Sequence, residues 1–326
     1  MGAPMVIKWT DGGAPTLSRV EGALIGVLDY CLPQKGWVKE FSGTGKAVYR
    51  AASGERKFYR VLNDGSFYYS STSYQYCHAK ITAYDAMTDV DTGTGQWGES
   101  YLPVSNSGTA VVRPWVCIFN ETTVLLVVLP HLTTGLTLAT SNSWLGGFGE
   151  TLAALPGNTN RNFIAGGILA SPTASGSTLT FPLSAGSLSS YTSYAAPIRV
   201  NRSLDGTRLA INCGIIGNGG QHGAIQDNIY PFGRSDTVVL SYPYNGSLLY
   251  ARPLIDDGVA YSMGDLVPGL CYALHKGNTL DNWADYASDD LDFIAVRVAC
   301  PHGGLTTTSA GYIGAMLICK DAGYWT

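Results

Sequence analysis

The chain has 326 residues, of which 45% are hydrophobic and only 13% are charged, and its formal net charge is −4. Soluble domains usually carry about 25% charged residues, and this balance provides no positive field for a phosphate backbone, so we expect no nucleic-acid partner. The 40 glycines, 20 tyrosines and frequent Ser/Thr runs are typical of an all-β protein, because turns use Gly and Ser while aromatic and β-branched residues fill strands.

One short amphipathic helix is predicted near the N-terminus, in the segment TLSRVEGALIGVLDYCLP that begins at Thr16. Ser18 and Glu21 have the spacing of a capping box, in which each side chain binds the other residue's unpaired backbone N–H. Pro33 ends the helix. Apolar residues at helical spacing form one stripe that faces the core: Leu17, Val20, Leu24, Val27, Leu28 and Cys31.

The segment FSGTGKAVYR, Phe41 to Arg50, contains the Gly-Lys pair found in phosphate-binding loops. Such a loop also needs a glycine five positions before that pair and a Ser or Thr after the lysine. Here those positions are Glu40 and Ala47, and the residues that follow read as a strand rather than a helix. We therefore predict that this segment binds no nucleotide cofactor.

The next elements are predicted to be strands of a β-hairpin, from Lys46 to Arg50 and from Lys57 to Leu62. The hairpin turns at residues 52–54, and Asn63-Asp64-Gly65 is a strong turn signal at its end. Four cations are expected to lie on its solvent face: Arg50, Arg56, Lys57 and Arg60.

Four tyrosines in the segment FYYSSTSYQY, namely Tyr68, Tyr69, Tyr74 and Tyr76, form the one candidate interaction surface that we assign from the sequence. Tyrosine is enriched at protein contacts and stacks on sugars. Ordinary cross-strand packing in a hairpin explains these residues equally well. We predict another strand from residue 76 to residue 84.

A glycine-punctuated loop follows this strand and resembles a calcium-binding loop in its first positions. Asp89 and Asp91 occupy the first and third ligand places, but Gly93 and Ser100 stand where the fifth and twelfth ligands are needed. We therefore interpret the loop as an Asx-rich turn and predict no metal ligand there.

The rest of the chain is predicted to form short strands separated by turns, in a sandwich or barrel-like antiparallel architecture that is mainly β. Two strands flank the turn at Asn120-Glu121, and the second is apolar on both faces, so we expect it to be buried. We divide the chain into residues 1–115 and residues 116–326, which include a Gly/Ser/Thr-rich variable middle. Further strands are predicted at residues 197–200, 208–216, 237–242, 247–254, 293–299 and 312–320.

No residue is assigned a catalytic role, because no nucleophile elbow and no pair of histidines at metal-ligand spacing occurs. Glycoside hydrolysis needs only two carboxylates at a suitable distance. The acidic runs at residues 256–257 and 289–292 do not provide such a pair by themselves, since neighbouring residues on a strand point to opposite faces. We interpret both runs as solvated turns.

The sequence also limits the compartment and the redox chemistry. The longest apolar run, residues 124–129, is far shorter than the ~20 residues that span a bilayer, and no secretory signal core follows Met1. The seven cysteines include no Cys-x-x-Cys pair. We therefore expect no membrane insertion, synthesis in a cytoplasm, and buried reduced thiols.

Three segments follow one another along the first part of the chain: GGAPTLSRVEGALIGVLDYCL, GWVKEFSGTGKAVYRAASGERKFYRVLNDG and AYDAMTDVDTGTGQW. In this order they resemble the N-terminal half of a family of tailed-bacteriophage virion structural proteins. The likeness covers about the first 115 residues. It is looser afterwards, at Phe148-Gly149-Glu150, at LLYARPLIDDG with LVPGLCYALHKG, and at the terminal DAGYWT; residues 150–235 do not align.

The resemblance implies a non-enzymatic structural component of a phage virion that assembles with copies of itself and with other virion proteins. Its place would be the virion, reached by assembly in the cytoplasm of the bacterial host. It implies no cofactor and no catalytic residue, and it makes SGTGKAVYR a turn that enters a strand. We expect a tail-associated position (tip, baseplate or collar). The alternatives are a capsid decoration protein and a tail protein that binds or degrades host surface glycan.

Overall fold

A computed structural model of the chain describes residues 2–70, 75–105, 109–129, 143–153, 162–165, 198–202, 209–216, 248, 250–252, 254–256, 263–273, 280–298 and 314–326. Within these residues the protein is mainly β, with antiparallel sheets and a short α-helix near the N-terminus. This confirms the predicted fold class.

The α-helix, α1, spans Ala23–Cys31, and 3-10 helices span Leu32–Lys35 and Ala322–Tyr324. The strands in chain order are β1 (Met5–Lys8), β2 (Val38–Gly43), β3 (Lys46–Arg50), β4 (Phe58–Leu62), β5 (Phe67–Ser70), β6 (Gln75–Met87), β7 (Gly93–Ser105), β8 (Trp115–Phe119), β9 (Thr123–Val128), β10 (Trp144–Glu150), β11 (Leu152–Ala153), β12 (Asn162–Ala165), β13 (Ile198–Arg202), β14 (Leu209–Ile216), β15 (Tyr250–Ala251), β16 (Leu254–Asp256), β17 (Met263–Leu266), β18 (Leu270–Ala273), β19 (Asp285–Ser288), β20 (Leu291–Val298) and β21 (Gly314–Cys319).

Three sheets are stacked as layers. The middle layer is a ten-stranded sheet with the order β1-β8-β9-β10-β12-β13-β14-β16-β17-β11. On one side lies the six-stranded sheet β2-β3-β4-β6-β5, with β7 paired to β6, together with α1; their shared core contains Tyr59 and Phe148. On the other side lies the five-stranded sheet β15-β18-β21-β20-β19, through a core that contains Leu125, Ile294 and Met316.

The middle position of β8 accounts for its unbroken apolar sequence. Trp115, Cys117 and Phe119 face the core shared with the six-stranded sheet, whereas Val116 and Ile118 face the core shared with the five-stranded sheet. All five side chains are buried. Strand β9 alternates in the same way and is buried along its whole length, as its apolar pattern predicts.

The ten-stranded sheet also closes on itself. Strand β10 pairs with β12, while β11, which follows after the single residue Thr151, pairs with β17 at the far end of the strand order. The path from β10 through β12, β13, β14, β16 and β17 therefore returns to the same stretch of chain. The predicted sandwich and the predicted barrel-like closure thus occur together.

The N-terminus of α1 differs from the prediction. The helix begins at Ala23, behind Gly22 in the left-handed region (φ 76°), and no capping box forms, because the N-cap makes no side-chain hydrogen bond. Instead Asn63 caps the helix from 39 residues away: its Oδ1 accepts the N–H of Leu24 at 2.8 Å and its carbonyl accepts the N–H of Gly22 at 2.8 Å. The cap is tertiary, so local spacing did not predict it.

The predicted apolar stripe is correct inside the helix and wrong at Val20, which lies before it. Leu24, Val27, Leu28 and Cys31 are buried, but Val20 is 53% exposed because it precedes the first helical turn. Leu17 is also buried outside the helix, in a bridge with Arg113. Pro33 lies in the 3-10 helix that directly follows α1, as expected for a residue that ends a helix.

Most of the predicted strands agree with the structure in the residues that it describes. The predicted hairpin is β3 and β4, and the strands predicted at 197–200, 208–216, 293–299 and 312–320 correspond to β13, β14, β20 and β21. Residues 247–254 contribute β15 and the start of β16 instead of one strand. Residues 237–242 and most of the variable middle lie outside the described residues.

The division at residue 115 remains a prediction, and the two parts share structure across it. Strand β1 pairs with β8, and the core around Tyr59 contains residues from both sides. Both ends of the chain also meet at the turn between β8 and β9. Glu121 Oε2 accepts the N–H of Gly2 at 3.1 Å, and Asn120 Nδ2 donates to the carbonyl of Trp325 at 3.3 Å.

Candidate functional site

The face of the six-stranded sheet opposite the core around Tyr59, which we call the outer face, carries charged and aromatic side chains among apolar and small ones, and its central residues Val48 and Thr82 are buried. Residues at the alternate positions, such as Ala47, Tyr59 and Ile81, lie in the core. Strand register places the outer-face residues in three rows: Val38-Arg50-Phe58-Tyr84-Gln96, Phe41-Val48-Arg60-Thr82-Glu99 and Gly43-Lys46-Leu62-Lys80-Tyr101.

Asp91 joins two cations of the outer face. It lies in the turn between β6 and β7, and its carboxylate accepts hydrogen bonds from Lys46 Nζ at 2.8 and 2.9 Å and from Arg60 Nη2. The hydrogen bond from Lys46, supported by the charge of Arg60, lowers the pKa of Asp91. The carboxylate is therefore ionised at neutral pH and fixes the turn over β3 and β4.

The neighbouring Asp89 confirms the predicted Asx turn. Its Oδ1 accepts the N–H of Asp91 at 2.7 Å and the N–H of Thr92 at 2.7 Å. The hydrogen bond from the Asp91 N–H lowers the pKa of Asp89. Both aspartates of the apparent calcium motif thus stabilise the hairpin of β6 and β7. Asp89 shapes its turn, and Asp91 binds this turn to β3 and β4.

The other cations of the outer face are paired in the same manner. Arg50 binds Glu40 at 3.1 Å, and its guanidinium lies 4.8 Å from the ring centre of Phe58. Lys80 binds Glu99 at 2.6 Å. Every lysine and arginine of the outer face is therefore held by a carboxylate, which makes the surface one of mixed charge rather than a positive patch for phosphates.

The Gly-Lys pair belongs to this surface as well. Thr44 and Gly45 form the two-residue turn between β2 and β3, with Gly45 in the left-handed region (φ 61°), and Lys46 begins β3. Its ammonium is bound by Asp91. The segment is a turn that enters a strand, as the sequence predicts.

The backbone of three of the four predicted tyrosines lies in the edge hairpin of the same sheet, and the role of these residues remains a prediction. Tyr68 and Tyr69 belong to β5, and Tyr69 pairs in register with Tyr76 of β6. Tyr74 lies outside the described residues, as do the side chains of the other three tyrosines. The backbone register confirms a hairpin between β5 and β6.

A second cluster, which the sequence did not predict, contains two carboxylates at the border between the six-stranded and ten-stranded sheets. Glu150, at the end of β10, accepts the N–H of Glu55. Glu55 in turn accepts from Asn162 Nδ2 at 2.9 Å, and Tyr59 donates to Asn162 Oδ1 at 2.7 Å. Burial, reinforced by the charge of Glu55, raises the pKa of Glu150. No signal along the chain links these residues, because the sheets bring them together.

The acidic runs noted in the sequence do not form a carboxylate pair of this kind. Asp289 and Asp290 are exposed and make the turn between β19 and β20, both with positive φ (52° and 64°), and Asp292 is exposed in β20. Asp256 lies in β16, and Asp257 is outside the described residues. The interpretation as a solvated turn is confirmed for Asp289 and Asp290, whereas Asp292 is exposed on a strand.

Four of the seven cysteines are described with their side chains: Cys31, Cys117, Cys271 and Cys319 are all buried free thiols, as expected. Burial raises the pKa of Cys271 to about 12, so its thiol is not a reactive nucleophile. Among the described residues, no group of three or more His, Cys, Asp and Glu side chains is placed to hold a metal ion.

Comparison with known proteins assigns neither a family to the chain nor a function to these residues. A scan against protein-family models gives no match, and a search of the curated proteins gives none either. In the part of the chain that the structure describes, no helix has the length and apolar character needed to cross a membrane. The resemblance to phage virion proteins rests on the sequence motifs alone and stays a prediction.

Proposed function

We propose that the protein is a non-enzymatic structural component of a tailed-phage virion, which docks on other virion proteins and on copies of itself through the outer face. The observation that supports this most is the array of paired charges, in which Lys46, Arg50, Arg60 and Lys80 are each held by a carboxylate. The resemblance of three ordered segments within the first 115 residues to virion proteins supports a virion as the assembly.

The paired charges are expected to contribute more to the recognition of a partner than to the stability of the fold. Solvent-exposed ion pairs contribute little to stability, whereas charges fixed on a rigid surface select partners and orient them. The outer face presents such pairs on a sheet whose other side is packed into the core. A partner with complementary charges would meet preformed groups and lose little side-chain entropy on binding.

Within the virion we propose a tail-associated position at the tip, baseplate or collar, with capsid decoration as the alternative. Electron microscopy of purified particles with gold-labelled antibody against this chain distinguishes the two. Gold at the tail end supports the tail position, and gold over the head supports decoration. Particles that carry no gold, while the lysate contains the chain in quantity, would overturn the virion proposal.

Charge reversal tests the outer face itself. Lys80→Glu places two acids side by side in the outer face, so we expect particles to incorporate less of this variant. Lys320→Glu is the matched control, because Lys320 is also ion-paired and equally exposed, with 26% side-chain exposure against 27% for Lys80. Equal incorporation of both variants, with unchanged thermal midpoints, would exclude the outer face as the docking surface.

A glycan-binding or glycan-degrading tail protein is the second candidate, favoured by the proximity of Glu55 and Glu150. A raised pKa at Glu150 suits a general acid. Both carboxylates, however, already accept hydrogen bonds from the chain, and the neighbouring Tyr59 is fully buried. Hydrolysis of host polysaccharide by the purified protein, lost in Glu150→Gln, would establish this candidate in place of the structural one.

A further inference from the structure

The segment that follows β21 crosses the border between the five-stranded and the ten-stranded sheet. Strand β21 ends at Cys319 in the five-stranded sheet, and the 3-10 helix at Ala322–Tyr324 comes next. Asn120, in the turn between β8 and β9 of the ten-stranded sheet, donates from Nδ2 to the carbonyl of Trp325 at 3.3 Å. Residues 321–326, which we call the strap, therefore lead from one layer to the other.

The indole of Trp325 anchors the strap. It is fully buried in the core that the two sheets share, and its Nε1 donates to the carbonyl of Cys319 at 2.7 Å. The ring lies against Gly269, in the turn that leads from β17 to β18, where a Cβ atom would come within 2.5 Å of the indole. Gly269 also has a φ of 70°, so both its backbone and its surroundings require glycine.

The neighbouring Tyr324 supplies the other contacts of the strap. Its carbonyl accepts the N–H of Gly269 at 2.8 Å and Nη2 of Arg252 at 3.3 Å. The guanidinium of Arg252 lies 4.6 Å from the centre of the Tyr324 ring, a cation–π contact. The Tyr324 hydroxyl donates to the hydroxyl of Tyr250 at 3.4 Å. Because all these contacts end on the strap, they are lost together when it moves away.

The strap is held by less buried surface than the strand before it. Strand β21 pairs with β20 on one side and with β18 on the other, and its four residues from Met316 to Cys319 are fully buried. In the strap, Trp325 is buried, whereas Asp321, Gly323 and Thr326 are exposed. Segments with few buried apolar contacts open at a lower free-energy cost than the core strands of the same protein.

We propose that the strap opens as one unit, while β21 stays paired in its sheet. Opening withdraws the indole of Trp325 from Gly269 and frees three polar groups of the fold: the N–H of Gly269, the carbonyl of Cys319 and the Nδ2 of Asn120. Closing pairs the same groups again. The strap is thus a conformational device that fastens the border between the two layers and releases it without unfolding either sheet.

Hydrogen exchange in the wild-type full chain, followed by NMR, tests this device without any substitution. The N–H of Gly269 and the indole N–H of Trp325 report the opening of the strap. The N–H of Cys319 is the matched control, because it donates to the carbonyl of Gly269 at 2.8 Å and so reports the sheet at the same place. Each rate is compared with the intrinsic exchange rate of its own group.

We expect the two reporter protons to be equally protected, and less protected than the Cys319 N–H by about tenfold or more, since local opening costs less than opening of the sheet. Equal protection of all three protons would show that the strap opens only together with the sheet. Different protection of the two reporters would show that the strap does not move as one unit. Either result would overturn the proposal.

A substitution at Trp325 weakens the anchor itself. Trp325→Phe removes the donor to the Cys319 carbonyl. It should raise the exchange rate of the Gly269 N–H by up to about tenfold, the effect of one lost hydrogen bond. The exchange rate of the Cys319 N–H should stay as in the wild type. An unchanged rate at Gly269 would contradict the role of the indole.

A pair of glycine variants separates overlap with the indole from backbone strain. Gly269→Ala places a Cβ atom against the indole, whereas Gly22→Ala is the matched control: Gly22 has a φ of 76° and nothing within 4 Å of an added Cβ atom. We expect faster exchange of the Trp325 indole N–H in Gly269→Ala and the wild-type rate in Gly22→Ala. The same rate in both variants would exclude Gly269 as the seat of the indole. The wild-type measurement decides the proposal even if Gly269→Ala does not fold.

Discussion

Two hairpins of this protein, β8–β9 and β3–β4, have the same antiparallel pairing and opposite surroundings. The first lies in the middle layer, and every residue of both strands is buried. The second lies in an outer layer. Its strand β4 alternates between buried residues such as Tyr59 and partly exposed, ion-paired residues such as Arg60, whereas β3 is buried at its three central residues and partly exposed at its ends. The difference shows that the number of layers covering a strand, rather than its pairing, sets how many of its positions must be apolar.

The largest loss of stability is expected from a substitution in α1. Leu24 is buried in this helix, whereas Val20, just before it, is exposed. Leu24→Asp should abolish the N-terminal fold, because it places a charge at a fully buried position, at a cost of several kcal/mol. Val20→Asp is the matched variant: Val20 is 53% exposed, so its change should stay within about 0.5 kcal/mol. Thermal unfolding by circular dichroism separates them, and a wild-type midpoint for Leu24→Asp would contradict the assignment of the helix.

The second-largest loss of stability is expected from truncating leucines in β9, and comparing it with the same change in β4 tests the difference between the two hairpins. Leu125→Ala and Leu126→Ala remove neighbouring side chains that face opposite cores, so each should cost about 2–5 kcal/mol in the free energy of unfolding. Leu62→Ala, the same change on the outer face of β4, should cost less because Leu62 is only half-buried. Urea denaturation measures all three, and a small cost for either β9 variant would mean that one face of the middle sheet is not covered.

A smaller effect is expected at the tertiary cap of α1. Asn63→Ala removes the acceptor of the Leu24 N–H and should cost about 1–2 kcal/mol. Glu21→Ala would break a capping box if one existed; since none forms, it should be nearly neutral. If the two variants behaved in the reverse order under urea denaturation, the helix would be capped locally after all.

The smallest effect is expected on the outer face. Asp91→Asn removes the acceptor shared by Lys46 and Arg60 at an exposed carboxylate, so its unfolding curve should be hard to distinguish from that of the wild type. Any residual difference should shrink further in high salt. A clear loss of stability that salt does not change would show that this ion pair supports the fold and is not reserved for a partner.

The successes and errors of the sequence interpretation have specific causes. Strands β3, β4, β8 and β9 were predictable because their patterns of apolar residues repeat over a few neighbours. The start of α1 was placed too early, because Ser18 and Glu21 have the spacing of a local cap whereas the real cap comes from Asn63. The turn formed by Asp89 was recognised by elimination, since the fifth and twelfth calcium ligands were missing.

The carboxylate cluster escaped prediction for a different reason. Glu55 and Glu150 are 95 residues apart, and each lies in a segment that reads as an ordinary turn or strand end. Their contact depends on the stacking of two sheets and on the absence of a side chain at Gly54. Sequence patterns report neighbours within a helix or a strand, so they carried no signal for this pair.

The sequence by itself determined the class of fold, most strands and their turns, because short-range periodicity and turn chemistry act between residues that are close along the chain. Only the tertiary structure decided that β8 and β9 lie between two layers, that Asn63 caps α1, and that the pKa of Glu150 is raised beside Glu55. These features arise from burial and from contacts between distant segments, which come into being only when the sheets stack.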